Sequence, residues 1–518
     1  MRCHSVRSYP ITGCIYGRLA LQADFGPAVR EAALFRLQPI FFVVGVMVII
    51  IGVSMLVPAA VDLYYGNPDW RIFAQASMTT IGLGGMACLA CRSDIGPRVT
   101  SRQGYVLTVV SWIAVSLTGA LPLWYSSLDI SFCDAVFETV SGLTTTGSTV
   151  LSGLDQMPPG LLVWRSIMQW LGGIGIIVTA LALLPMMRVG GMQLFQMESS
   201  DRSEKLSPRI RDMCMQIVLI YVSLSVICML LYRFFGMTWF DAINHGMTTL
   251  ATGGYSTSDM SFAKFDSNLA LHWVGVVFMC AGALPFTAYA VLIRKRKIGA
   301  IIGNQQIKLF GLIITVFTLL LTFRLAQISD DSIFRSLTMA AFNLVSVITT
   351  TGFASGDYLL WGPAAVMLFF FATFIGGCSG STAGGFKMFR LYVIFTGLQA
   401  HFMRLRSPSA VVVSRIDRHE ITSDIFNAVT VYVCLLALSY MVVTVALGLT
   451  GLDLITSMSA AATALANVGP GLGNIIGPAG NFQSLPDSAK WILDVAMILG
   501  RLEFETLLVL LMPSFWRD

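Results

Sequence analysis

The sequence predicts an all-α polytopic membrane protein: four helix–pore loop–helix units around a central pore, preceded by two further transmembrane helices. Three observations predict it. Charge is too scarce for a soluble domain, ten apolar stretches have membrane-crossing length, and one short glycine-terminated loop recurs four times.

Composition gives the class. Hydrophobic residues make up 55% of the chain and charged residues 12%, with a mean hydropathy of +0.74, whereas soluble domains carry roughly 25% charge. This excludes a soluble enzyme. Stretches near the ~20 residues that cross a ~30 Å hydrocarbon core run over 39–60, 72–90, 104–125, 161–186, 212–235, 270–293, 307–328, 361–375 continuing past a break to 400, 425–448 and 488–511. The implied segments are 1–36, a polar N-terminal stretch; 37–92, two extra helices; and four units at 103–188, 210–297, 305–400 and 424–513.

Basic residues orient the array. One set of loops and span ends holds 19 Lys and Arg, among them Arg92, Arg98, Arg102, Arg188, Arg202 and Lys205; the opposite set holds 7. By the positive-inside rule the first set is cytoplasmic. The net charge of +5 therefore reads as topology, not as a nucleic-acid surface. Residues 1–36 lack an apolar region near the start and read as an uncleaved cytoplasmic N-terminus. The ten cysteines are scattered and show neither a disulfide frame nor metal-ligand spacing.

The recurring loops are Thr144-Thr145-Thr146-Gly147, Ala251-Thr252-Gly253-Gly254, Thr349-Thr350-Thr351-Gly352 and Ala466-Asn467-Val468-Gly469, about 100 residues apart and all on the outer side. A short apolar segment precedes each: Phe132–Leu143, Trp239–Leu250, Met339–Ile348 and Met458–Leu465. About 12 residues rise only ~18 Å as helix, too little to cross. A half-helix that enters and returns is tolerated only where its backbone is buried in protein or lines a water-filled path. A single chain can build a ring of carbonyls for a dehydrated cation only by presenting a similar loop several times.

A break interrupts the second span of the third unit: Gly376-Gly377-Cys378-Ser379-Gly380-Ser381-Thr382-Ala383-Gly384-Gly385. All ten residues are small, and each of the five glycines would weaken a helix by about 1 kcal/mol relative to alanine, so an unwound intramembrane loop is expected. Arg501 lies mid-span in the last helix, where a charge is expensive and points to function. Asp494, Arg501 and Glu505 share one helical face by spacing, and whether the two carboxylates neutralise Arg501 is open.

Several motifs, in order over nearly the full length, resemble the Trk/Ktr/HKT superfamily of potassium-uptake proteins, specifically its bacterial TrkH/TrkG branch. They are Gly142–Gly147, Gln169-Trp170-Leu171-Gly172-Gly173, Gly190-Gly191-Met192-Gln193-Leu194, the Gly376–Thr382 break, Gly469-Pro470-Gly471-Leu472-Gly473 and Gly500-Arg501-Leu502-Glu503. The resemblance implies potassium uptake across the bacterial cytoplasmic membrane by a homodimer working with TrkA, a cytosolic nucleotide-binding regulator. It makes Gly147, Gly254, Gly352 and Gly469 filter positions, with residues 144–147, 251–254, 349–352 and 466–469 binding K+. It further implies a movable gate containing Gly376, Gly377, Ser379, Gly380, Gly384 and Gly385, with Arg501 facing the path beneath. Ala383 stands where another glycine is expected. Relatives with serine at the first filter position tend toward sodium, and glycine at all four favours potassium over a sodium or mixed permease. The regulator is expected on the cytoplasmic loops near Arg294–Lys297 and Lys387–Arg418. Passive passage and symport with protons or sodium are both open.

Two further readings are weighed. Asp129 and Asp155 could gather cations at the outer mouth but read better as solvated loop charge. Gly377-Cys378-Ser379-Gly380 also fits an intramembrane serine protease, which needs a histidine base; His245 and His272 lie toward the outside and His401 and His419 in cytoplasmic loops, none evidently at the depth of Ser379.

Overall fold

The computed structural model describes residues 37–92, 100–182, 206–296, 299–409, 412–416 and 419–517. The segment 1–36, the motif Gly190-Gly191-Met192-Gln193-Leu194, and Arg98, Arg188, Arg202, Lys205, Lys297 and Arg418 lie outside the described residues. Among them, seven helices are long and apolar enough to cross a membrane, eight if one bent pair counts as a single span.

Two spans come first. Helices α1 (Gln38–Ser54) and α2 (Leu56–Tyr65) run on as one span through Met55, whose backbone stays helical, and α3 (Trp70–Ala90) packs back against α1. Lipid gives no hydrophobic drive between helices, so small residues that let backbones touch favour the contact. A Cβ on Gly45 would sit 2.8 Å from the Gly84 carbonyl oxygen, and one on Gly84 would sit 2.6 Å from that of Gly45. The buried Asp62 carboxylate then ties this pair to the first unit by accepting the Gly160 N–H at 2.6 Å, a donor of the first helical turn that has no intrahelical partner.

Each unit repeats one order of elements. The first has α4 (Ser101–Gly119), the short helix α5 (Phe132–Leu143) and α6 (Pro159–Ala182); the second has α7 (Leu206–Phe234), α8 (Trp239–Leu250), α9 (Leu269–Ala283) and α10 (Phe286–Lys295). The third has α11 (Gln305–Ile328), α12 (Ile333–Ile348), α13 (Pro363–Ile375) and α14 (Met388–Arg406), and the fourth α15 (Ser423–Leu449), α16 (Leu454–Ala466), α17 (Asp487–Arg501) and α18 (Phe504–Leu508). A two-stranded hairpin, Arg415–Ile416 with His419–Glu420, links units three and four.

The four short helices start alike. Ser131, Thr238, Ser332 and Asp453 each accept the N–H three residues on, from Asp134 (3.0 Å), Asp241 (3.0 Å), Arg335 (3.3 Å) and Thr456 (3.2 Å). Such caps satisfy a donor that the helix leaves open. Hydrogen bonds from the Thr456 hydroxyl and N–H hold the Asp453 carboxyl below its usual range. The caps also set the helix starts: α5 and α8 run over the expected residues, while α12 and α16 begin earlier than Met339 and Met458.

Two expected continuous spans are broken. The stretch 270–293 bends by 89° between α9 and α10, because Pro285 donates no N–H and its predecessor Leu284 is extended (ψ 156°). The stretch 488–511 ends its first helix at Arg501, and Glu503 takes a left-handed φ of 61° while pairing with Arg390 at 2.9 Å. Glu505 therefore falls on α18, off the face shared by Asp494 and Arg501, and the self-neutralised face is not formed. By contrast the interruption at 376–385 is unwound as expected, between α13 and α14.

Gly84 yields a test of the α1–α3 contact. Gly84→Leu should lower stability by ~1–3 kcal/mol through overpacking, read as a lower thermal midpoint in detergent. Gly82→Leu, at an exposed position with nothing within 4 Å of an added Cβ, should leave that midpoint in place.

Candidate functional site

After each short helix the chain turns through the same dihedral pattern. The second and fourth positions are left-handed: Thr145 (φ 53°) and Gly147 (86°), Thr252 (52°) and Gly254 (77°), Thr350 (56°) and Gly352 (86°), Asn467 (56°) and Gly469 (110°). The first and third positions keep negative φ. Alternating handedness along a short run turns successive carbonyls to one side instead of the alternating sides of a strand. An ion-coordinating column needs that arrangement.

The loops also touch in cyclic order. A Cβ on Gly147 would lie 2.1 Å from the Gly253 oxygen, on Gly254 2.0 Å from that of Thr351, on Gly352 2.2 Å from that of Val468, and on Gly469 2.7 Å from that of Thr146. Each glycine thus abuts the third-position carbonyl of the next loop, and the fourth loop closes on the first. Any side chain there meets both a backbone oxygen and an unfavourable φ.

Bracing behind this ring is mostly polar and buried. Thr144 and Thr146 join hydroxyls at 2.7 Å, as do Thr349 and Thr351 at 2.8 Å. Gln169 donates Nε2 to the Gly253 oxygen (2.6 Å) and accepts the Tyr255 N–H (3.0 Å). Arg165 pairs with Glu138 at 2.7 Å, both side chains almost wholly buried, stacks 4.1 Å over the Tyr255 ring and donates to the Ser256 carbonyl at 3.1 Å. Glu138 also accepts from Thr149 Oγ1 and the Val150 N–H, each at 3.0 Å. Of these braces, Arg165 and Glu138 were given no role from the sequence; a lone Arg or Glu in an apolar run is the signal that marks them.

The interrupted span lies against the ring. Its Gly384 N–H donates to Thr350 Oγ1 (2.7 Å), and Thr382 Oγ1 donates to the carbonyls of Gly282 (2.9 Å) and Leu250 (3.1 Å). Left-handed backbone falls at Gly376, Gly380 and Gly385. Ala383 is buried with negative φ, so alanine sits there without strain. Arg501 Nη1 donates to the Thr382 carbonyl at 2.9 Å while Nε and Nη2 find no partner among the described residues, and Lys387 Nζ donates to the Ala383 carbonyl. Both Asp494 oxygens are likewise unpartnered.

The remaining candidates fall elsewhere. Ser379 meets Gln306 Oε1 through its N–H (3.2 Å), whereas His245 is held by the Asp241 carbonyl (2.9 Å) and Ser256 Oγ (3.0 Å), and His272 lies near the Asn268 carbonyl (3.4 Å). A serine–histidine couple is not assembled among the described residues. Asp155 accepts from Ser258 (2.9 Å) and lies 3.8 Å from Lys264, and Asp129 is exposed.

The Arg165–Glu138 pair is open to direct test. Arg165→Met strands a buried carboxylate and should cost ~3–5 kcal/mol, measured by thermal unfolding in detergent. Adding Glu138→Met should recover part of that loss.

Comparison with known proteins follows this geometry. The family TrkH, described as cation transport protein, matches residues 71–517. The chain is 42% identical to the Trk system potassium uptake protein TrkI of Halomonas elongata over 93% of this chain and 98% of that protein. It is 36% identical to the Trk system potassium uptake protein TrkH of Escherichia coli, over 92% and 98%. The crystal structure of the potassium transporter TrkH from Vibrio parahaemolyticus superposes with a TM-score of 0.85 at 33% identity, covering 93% of this chain and 100% of that one. This multi-pass membrane protein belongs to the TrkH family of cation transport proteins.

Proposed function

We propose that this chain carries K+ into the bacterial cell across the cytoplasmic membrane, through a filter formed by residues 144–147, 251–254, 349–352 and 466–469. The single observation behind this reading is the cyclic closure of the four loops, each glycine against the next loop's carbonyl. Twice-alternating handedness in every loop supplies carbonyls that replace the hydration of an alkali cation. Glycine at all four closing positions favours K+ over Na+. No reaction needs to be catalysed, and family membership places the chain among transporters, not enzymes.

The segment 376–385 acts on this reading as a gate, with Gly376, Gly377, Ser379, Gly380, Gly384 and Gly385 forming the movable loop and Arg501 standing beneath it. The same reading takes the chain as a homodimer with the cytosolic regulator TrkA on the cytoplasmic loops and the N-terminus on that side, as the sequence resemblance implies. The bias of 19 Lys and Arg against 7 supports that orientation.

Growth of a potassium-uptake-deficient strain at low K+ tests the filter. Gly352→Ser places a side chain against the Val468 carbonyl 2.2 Å away. Loss of ~1.4 kcal/mol of ion coordination weakens K+ binding about tenfold. The variant should fail where the wild type grows and recover at high K+; equal growth at low K+ overturns the assignment.

A further inference from the structure

The second-position residues share one backbone conformation but not one set of contacts. Among the described residues, Thr145 Oγ1 is buried without a partner. Asn467 Nδ2 turns to Thr146 Oγ1 (3.0 Å) and the Met497 carbonyl (2.9 Å). Thr252 and Thr350 reach instead toward the intramembrane loop. Thr350 Oγ1 accepts the Gly384 N–H at 2.7 Å, and Thr252 Oγ1 lies 3.2 Å from Thr382 Oγ1.

These contacts join two structures that the proposed function treats as separate. The Gly384 amide is buried at membrane depth, where a donor without an acceptor is costly, and its acceptor belongs to the ring. Moving the loop away strands that amide; rotating Thr350 away does the same. Gly384 also presses on the fourth unit, since a Cβ there would lie 2.5 Å from the Ala466 carbonyl. The loop is thereby seated against parts of units two, three and four.

We propose that Thr350, seconded by Thr252, is a positioning residue that couples the glycine-loop ring to the intramembrane loop, so that filter geometry and gate position form one equilibrium. This rests on the reading of the ring as the ion path. Coupling of this kind is reciprocal: an ion that favours the aligned ring favours the docked loop by the same factor, and displacing the loop weakens ion binding equally.

The test uses the full chain in liposomes for Rb+ flux and in planar bilayers for single-channel records. Thr350→Val removes the hydroxyl at nearly constant shape, Thr350→Ser keeps it, and Thr145→Val measures what loss of an uncoupled second-position hydroxyl does by itself. Thr350→Val should raise the open-to-closed ratio about fivefold relative to Thr145→Val, the equivalent of a ~1 kcal/mol hydrogen bond, and flatten the dependence of that ratio on K+ concentration. Thr350→Ser should restore gating. Thr382→Val with Thr252→Val supplies an independent cycle from the loop side, whose effects on the ratio should be non-additive. Equal ratios in Thr350→Val and Thr145→Val, or additive effects in the cycle, would overturn the coupling while leaving the ion path intact. A wild type that passes no Rb+ overturns the ion path and the coupling together.

Discussion

Two broken spans complete each other's backbone, and the interior arrangement depends on that exchange. Where Pro285 ends α9, the carbonyls of Gly282 and Ala283 lose their helical donors. The intramembrane loop supplies replacements through the N–H groups of Thr382 (3.2 Å) and Cys378 (2.9 Å). In return the Gly380 carbonyl accepts the Phe286 N–H at 2.9 Å, at the start of α10. Within a membrane no water satisfies such groups, so neither interruption is tolerable alone. Each makes the other affordable, and together they hold a non-helical segment directly beneath the glycine loops.

That placement explains why the ring can be both symmetric and uneven. Its backbone repeats four times, down to the positive φ values and the contact of each glycine with the next carbonyl. Its surroundings do not repeat. Gln169 holds the Gly253 carbonyl in the second loop alone, and three of the second-position side chains end on different partners while the Thr145 hydroxyl has none among the described residues. A pseudo-repeated chain keeps what close approach of four backbones demands, while side chains facing outward from the ring answer to whichever element stands behind them. Behind units two and three that element is the broken span.

Much of this was legible in the sequence, and the reasons for the exceptions are physical. Short helices were readable because their length cannot cross a membrane, and their glycines because only glycine combines left-handed backbone with contact against an oxygen. The unwound loop followed from five glycines among ten small residues. Pro285, in contrast, sits inside a run hydrophobic enough to pass for one span, and hydropathy takes no account of a missing N–H. The break after Arg501 carries neither proline nor glycine. It forms because Glu503 leaves the helix for Arg390, a residue more than a hundred positions earlier, which also stacks 3.6 Å over Tyr432. A long-range ion pair of this kind has no local signature. The left-handed Thr145, Thr252 and Thr350 were equally hidden, since threonine does not advertise positive φ.

Charge beneath the ring gains meaning from that last break. With Glu503 committed to Arg390, and Asp494 and Glu505 off its reach, Arg501 has a backbone carbonyl as its hydrogen-bonding partner; Lys387 has the next carbonyl along. Carbonyls of Thr382 and Ala383 therefore already hold two tethered cations of the protein. On the permeation reading, an arriving K+ finds these oxygens occupied by groups of its own sign, so the docked loop resists passage electrostatically as well as sterically. On the same reading, displacing the loop would remove both of these acceptors at once. Obstruction and positive charge then share one cause, the seating of a single ten-residue segment, and neither can be relieved without the other.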